Sequence, residues 1–353
     1  MRIFSDRSHY IEIFRRQINT ITRVLWRDRS KEDTLKTFGE WVNTYQFIDD
    51  PAQADICILT YYWKHYQEQD LIGQAESELS IAQKYHKPLV VFNEGDPPAN
   101  VPFTDIILFE FGGYRSTPGL RYHSSQPSYM TDYLDVYCGG KLKLRPKQDK
   151  PMVGFCGQSS TSPIHTAYRK LRLKWQQSQY RQGRLRWEPP PFETSSFRER
   201  VLKLFENQPG IQTNFIPRKR YRAGETQDKS PHHPAKLEFI NNILNSDYTI
   251  CMRGGGNFSV RFYETLCLGR IPIFIDTDCI LPFQDEIDYK AIFPWIDIKD
   301  LPHAAEIVRD FHAKLSNDEF IDLQKACRDL WVEHMTPNGF HQDFMCKLKS
   351  LIE

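Results

Sequence analysis

The densest chemistry in the sequence lies at 248–283, YTICMRGGGNFSVRFYETLCLGRIPIFIDTDCILPF. An apolar strand pattern ends at Arg253, three glycines follow (Gly254, Gly255, Gly256), and a helical pattern opens near Asn257. Glycine lets backbone approach a ligand closely, and the free amides of a helix N-terminus favour an anion, phosphate above all. On such a helix Asn257, Arg261 and Glu264 share one stripe, because i, i+4 and i+7 align. Phe258, Phe262, Thr265 and Leu266 take another face, suited to packing on a sheet. Arg261 could then neutralise a diphosphate, and Glu264 could accept hydrogen bonds from ribose hydroxyls. The same two residues could equally form an i, i+3 surface pair worth roughly a few tenths of a kcal/mol. Both readings stand. The loop is neither G-x-G-x-x-G nor followed by G-K-[ST], which argues against a dinucleotide fold and a P-loop kinase.

The elements around this segment alternate. Apolar runs of strand length occur at Met1 to Ser5, Ala54 to Thr60, Pro88 to Phe92 and Ile106 to Phe111. A second series occurs at Met152 to Gly157, Ile211 to Ile216, Tyr248 to Met252 and Ile271 to Ile275. Helical spacing falls between them, at Glu32 to Val42, Leu71 to His86, Phe197 to Glu206, Lys236 to Asn245, Phe258 to Leu268, His303 to Leu315 and Glu319 to Glu333. Buried strands alternating with helices predict α/β domains with parallel sheets. The basic, glycine-containing stretch Gly139 to Lys150 marks a junction. The expected division is 1–145, 146–330 and a C-terminal helical tail at 331–353, with an active cleft between two domains at the carboxyl ends of the strands.

Composition narrows the function classes. The 353 residues carry 46 Lys+Arg and 45 Asp+Glu, so the chain is neither basic nor acidic overall. Yet 141–236 holds 21 Lys+Arg against 7 Asp+Glu, leaving 25 against 38 elsewhere. That middle segment could serve as an acceptor loop, a membrane-surface patch or a dimer contact, or be a solvated helical face. No RNA-binding or helix-turn-helix signature accompanies it, so no nucleic-acid partner is expected. No apolar stretch approaches 18 residues. The eight cysteines form no C-x-x-C pair, which argues against a zinc ribbon and for reduced thiols.

The run from Cys251 to Phe283 resembles the signature of the exostosin family of glycosyltransferases, family 47. The matching pieces are Arg253 with its glycines, Ser259-Val260-Arg261-Phe262-Tyr263-Glu264-Thr265-Leu266, Gly269-Arg270-Ile271-Pro272-Ile273 and Leu281-Pro282-Phe283. VGFCGQ at 153–158, DDPAQADICIL at 49–59 and WVEHMTPNGF at 331–340 are similar to other parts of the family pattern. The resemblance implies a GT-B architecture of two Rossmann-like domains, with the donor on the C-terminal one. It implies inverting transfer of a sugar from a nucleotide sugar, usually a UDP-sugar, to a carbohydrate acceptor in polysaccharide or glycoconjugate synthesis. It also implies a donor site at Arg253, Gly254, Gly255, Gly256, Asn257, Ser259, Arg261 and Glu264. Eukaryotic members usually carry an N-terminal membrane helix. None is evident here, so a cytoplasmic protein is expected, with peripheral contact at the inner membrane face and homodimerisation left open.

Inverting transfer needs a base for the acceptor hydroxyl and cations for the leaving diphosphate. Arg218 and Arg220 follow a strand and could join Arg253 and Arg261 there, or be solvated. Glu94 and Asp96, in the turn after PLVVF, are the expected catalytic carboxylates, with Asp6 another; an Asx-type turn explains Asp96 as well. Tyr61, Tyr62, Trp63 and Tyr66 could stack on sugar rings or be core. Asp276-Thr277-Asp278 has the form of the metal-binding D-x-D of GT-A transferases. It is read here as structural, with no metal ligands and no cofactor expected; His232-His233 is not read as a metal site either. A metal-dependent GT-A transferase and a non-catalytic sugar-binding subunit are the alternatives.

Overall fold

Apolar runs of strand length build two all-parallel sheets. The computed structural model describes residues 1–25, 34, 35, 38–159, 162–220 and 230–352. The chain divides into two units, one of Met1–Tyr129, Cys279–Gln284 and Glu333–Glu353, the other of Met130–Asp278 and Asp285–Val332. Both are Rossmann-like.

The first unit's sheet contains β1 (Arg2–Phe4), β2 (Gln46–Phe47), β3 (Ile56–Ile58), β4 (Leu89–Asn93), β5 (Ile107–Glu110) and β6 (Tyr122–Ser125), in the order β2-β1-β3-β4-β5-β6. Every pairing is parallel. β4 and β5 are buried at every position, as strands covered on both faces must be. From β1 the chain steps to one side for β2 and returns on the other for β3. The strand order therefore reverses between β1 and β3, and a crevice in such a sheet opens at the carboxyl ends there. Helices α1 (Thr20–Leu25), α2 (Trp63–Glu68) and α3 (Ile72–Lys84) belong to this unit. Tyr61, Tyr62, Trp63 and Tyr66 are buried, with Trp63 and Tyr66 turned inward by α2, so they are core and not a sugar-stacking rim. The helix expected over Glu32 to Val42 lies partly outside the described residues; Glu40–Thr44 is a 3-10 helix.

The second sheet contains β7 (Met152–Gln158), β8 (Gln212–Arg218), β9 (Tyr248–Cys251), β10 (Ile271–Asp276) and β11 (Trp295–Asp297), ordered β11-β10-β9-β7-β8 and again all parallel. Here the order reverses between β7 and β9. β8 runs through Pro217 because it is an edge strand, where a missing N–H is tolerated. The helices are α4 (Tyr133–Cys138), α5 (Pro163–Arg181), α6 (Thr194–Phe205), α7 (Pro234–Leu244), α8 (Val260–Cys267), α9 (Tyr289–Ile292), α10 (Ala304–Lys314) and α11 (Asn317–Leu330). α8 begins three residues later than Asn257 and stops at a Schellman turn: Gly269 N–H donates to Leu266 O (2.9 Å) and Arg270 N–H to Thr265 O (3.0 Å). Gly269 is left-handed (φ +60°), and a Cβ there would meet Leu142 at 2.3 Å, so both conformation and space require glycine.

After a π-helical turn at Trp331–Met335, α12 (Pro337–Ile352) joins the first unit through aromatics. Phe340 and Phe344 pack on Phe109, at 5.8 and 4.9 Å between ring centroids. Phe283 of the L-P-F motif meets Phe109 and Phe340, and its N–H donates to Ser124 Oγ at 2.9 Å.

Candidate functional site

In the second unit, the order reversal brings the carboxyl ends of β7 and β9 side by side. Arg261, on the first turn of α8, donates from Nη2 to the Cys156 carbonyl at 2.8 Å. Its guanidinium carbon lies 4.2 Å from the Phe155 ring centroid. A Cβ on Gly157 would fall 2.5 Å from Nη2, so the glycine of VGFCGQ is what admits this group. Nε is shut off from solvent and has no hydrogen-bond partner among the described residues. Among the described residues no carboxylate forms an ion pair with Arg261. Burial draws its pKa below the usual arginine value; Glu264 opposes the shift and Arg218 adds to it. A half-buried guanidinium beside a second cation, with no carboxylate paired to it among the described residues, is costly unless an anion completes it.

Arg218, the last residue of β8, is held by Glu238 Oε2 (2.6 Å) and Ala235 O (2.8 Å). Glu264, one turn along α8 from Arg261, is buried. Its Oε1 accepts from Tyr133 Oη and Lys236 Nζ, both at 3.0 Å, and Lys236 also donates to Tyr133 Oη at 2.7 Å. Burial, reinforced by Glu264, pushes the Tyr133 phenol up. Oε2 takes no hydrogen bond among the described residues. The i, i+3 surface pair between Arg261 and Glu264 does not form: each side chain is engaged elsewhere.

The other expected donor residues divide. Asn257 does not extend the stripe; its Nδ2 donates to Asp278 O (3.0 Å) and its Oδ1 accepts from Thr277 Oγ1 (2.6 Å), tying the glycine loop to the turn after β10. Gly254 N–H donates to Phe258 O at 2.9 Å, and none of Gly254, Gly255 and Gly256 is left-handed. Ser259 precedes α8 without a side-chain cap. Arg253 is buried, with its guanidinium 5.5 Å from the Phe192 ring. Its carbonyl accepts from Arg198 Nη2 (3.1 Å), while Arg198 Nη1 donates to Gln158 O (3.0 Å). Arg198 thus clamps the end of β7 to the glycine loop, a role nothing in its sequence context signals. Arg220 is exposed, next to undescribed residues. Asp276 is buried at the end of β10, and Asp278 turns the chain with φ +63°. Among the described residues no three His, Cys, Asp or Glu side chains gather to hold a metal.

In the first unit, Glu94 and Asp96 are exposed in the turn after β4, where Gly95 takes φ +116°. Asp6 accepts from Ser8 N–H (2.9 Å) and caps the turn Arg7–His9. The sequence gives no hint of what stands beside it, at the β1/β3 reversal. Glu78, reaching up from α3, is fully buried. Its Oε1 lies 3.0 Å from His9 Nδ1 and accepts from Tyr66 Oη at 2.7 Å; its Oε2 accepts from Thr60 N–H at 3.0 Å and Thr60 Oγ1 at 3.2 Å. His9 keeps partial exposure, and its Nε2 is 3.9 Å from Asp6 Oδ2. The hydrogen bond to Glu78 holds the His9 pKa above the usual imidazole value. Glu110 and His123 form a second carboxylate–imidazole pair (2.9 Å), but His123 Nδ1 is sealed from solvent, so that pair can only tie β5 to β6.

With this geometry in view, residues 182–311 match the Exostosin GT47 domain. This segment is similar to an exostosin-like GT47 domain. It takes in Arg218, Arg253, the glycine loop, Arg261 and Glu264, while β7 and the His9–Glu78 pair lie outside it. A probable glucuronosyltransferase of Oryza sativa subsp. japonica is 32% identical over 81 residues, 23% of this chain and 18% of that protein. Exostosin-1 of Drosophila melanogaster is 32% identical over 96 residues, 27% of this chain and 12% of its own length. A probable beta-1,4-xylosyltransferase of Arabidopsis thaliana is 31% identical over 81 residues, 23% of this chain and 19% of its own. The matched segments thus span less than a fifth of these relatives. Among solved structures, a glycosyltransferase from Rickettsia africae covers 100% of the chain at 9% identity and a TM-score of 0.38.

Proposed function

We propose that the protein is an inverting glycosyltransferase that takes a sugar from a nucleotide sugar, most simply a UDP-sugar, and passes it to a glycan hydroxyl. The observation that carries this reading is Arg261: a half-buried guanidinium with no carboxylate ion-pair partner among the described residues, beside Arg218, where the strand order reverses between β7 and β9. A diphosphate there would supply the missing negative charge, and the two arginines would hold the charge that builds on it as the sugar leaves. Glu264, its Oε1 fixed by Tyr133 and Lys236, offers Oε2 to ribose hydroxyls. On this reading the arginines carry the charge of the diphosphate, and Asp276 and Asp278 keep a structural role without a metal.

The base follows from the first unit. His9, oriented by Glu78 at a strand-order reversal, is the better held candidate; Glu94 and Asp96 are the alternative. As the acceptor oxygen bonds to the anomeric carbon, His9 Nε2 takes its proton. The bond from that carbon to the diphosphate breaks, its electron pair leaves with the nucleotide, and the imidazolium stays paired with Glu78. Calorimetric titration with UDP in the presence of a chelator tests the donor site. Binding to the wild type, weakened about 10- to 100-fold in Arg261→Gln, is expected, because a charge-assisted contact contributes about 1.5–3 kcal/mol. Binding that requires a divalent ion would restore the D-x-D reading, and equal binding by the variant would remove Arg261 from the site.

A further inference from the structure

α5 carries an exposed face that sugar transfer does not explain. Ile164, Tyr168, Leu171 and Trp175 recur at i, i+4, i+7 and i+11, so at 100° per residue they form one narrow stripe. Their exposures run from 61% to 81%, an unusual state for four large apolar side chains in a row. The opposite face fixes the helix to its unit: Leu173 is buried, Arg169 Nη1 donates to Ser195 Oγ (3.0 Å) and Gln177 Nε2 to Pro190 O (2.9 Å). Exposed cations flank the stripe, Arg172 on one side and Lys170, Lys174 and Arg181 on the other. None of these four has an ion-pair partner among the described residues, and the helix contains no Asp or Glu.

We propose that α5 is a membrane-surface helix that lays its Ile164–Trp175 stripe into the headgroup region of an anionic lipid bilayer. An apolar stripe with aromatic members and basic flanks is what an interfacial helix requires: the apolar groups enter the acyl boundary while the cations meet acidic headgroups. A second copy fits poorly, since an isologous contact through this face would set the same unpaired cations against each other. A nucleic acid fits poorly too, because half of the stripe is aliphatic, Ile164 and Leu171, which offer no stacking surface.

The full chain should float with vesicles of phosphatidylcholine containing phosphatidylglycerol and not with phosphatidylcholine alone, and should detach at about 0.5 M salt. Replacing Lys170, Arg172 and Lys174 with Gln should lower vesicle affinity about 100-fold, at roughly fivefold per cation. Leu171→Glu with Trp175→Glu should abolish binding. All five positions are exposed, so circular dichroism should be unchanged. Vesicle binding that the variants leave intact would overturn the proposal. So would failure to bind anionic vesicles, whether the chain instead forms a dimer that Leu171→Glu dissociates, captures a single-stranded oligonucleotide, or does neither.

Discussion

Arg261 owes its position to a residue with no side chain. A Cβ at Gly157 would meet the far end of a flexible arginine, not backbone, so Gly157→Ala should move the guanidinium at little cost to the fold. UDP affinity should then fall about tenfold while the melting temperature stays close to wild type; an unchanged affinity would mean Arg261 does not touch the nucleotide. That Arg261 and Glu264 lie on one helix was legible from their spacing, because local periodicity fixes which face a side chain takes. Asn257 was misplaced because the helix starts after it, and the strand-to-helix loop spends that amide on Thr277 and Asp278. Glu78 and His9 were invisible, being 69 residues apart and joined only by the crossing of β1 and β3. If His9 is the base, activity falls with acidity as the imidazole protonates, along a limb set above the usual imidazole pKa by Glu78. Asp6, the other charged group facing His9, acts in the same direction. Glu78→Gln should therefore shift that limb to lower pH, and His9→Asn should lower kcat with little change in UDP affinity. If instead Glu94→Gln or Asp96→Asn removes the limb, the exposed carboxylates take the role.

The elements that came through most clearly from sequence are the fully buried strands, since PLVVF and IPIFID have few conformations in which every side chain is covered. β6 did not, because YHSS is polar and its partners are Glu110 and neighbouring loops. β2, two residues long, is too short to carry a pattern. α4 is also short, at six residues, yet it sets Tyr133 against Glu264. Its start is pinned by Asp132, which accepts from Leu134 N–H at 2.9 Å and pairs with Arg328 of α11. Although partial burial opposes it, the hydrogen bonds from Arg328 and Leu134 hold the Asp132 carboxyl below its usual pKa. The carboxylate therefore stabilises the fold above the ordinary carboxylate range, and the benefit is lost as pH falls through the lowered pKa. Asp132→Asn keeps the cap and removes the charge. It should cost about 2 kcal/mol near neutral pH, as a charge-assisted pair does, and the gap from wild type should close below about pH 4. A gap independent of pH would assign the effect to packing alone.

Across the whole molecule, the linear order of the sequence and the two units disagree in instructive places. The segment Cys279–Gln284 and the last helix return to the first unit although the chain has already built the second. Such returns are hard to read because they depend on distant aromatic contacts, here Phe283 and Phe340 on Phe109, not on any local period. The same return buries His341, stacked on Trp41 with ring centroids 3.6 Å apart and Nδ1 3.1 Å from Tyr45 Oη. Its Nε2 has no hydrogen-bond partner among the described residues, and burial lowers its pKa to about 3. His65 and His312 are shifted in the same direction by burial. Each is neutral in the fold and protonates readily once unfolded, so the unfolded state binds more protons on the acid side of about pH 6.5. Stability contributed by these groups is thus complete above that pH and drains away as pH falls toward the folded values. For His341 the loss at pH 5 should be about 2 kcal/mol. In urea titrations followed by tryptophan fluorescence, His341→Phe should therefore narrow the stability difference between pH 7 and pH 5 by that amount. An unchanged pH dependence in the variant would mean that His341 is already protonated in the native protein, and that the aromatic seat of α12 admits water.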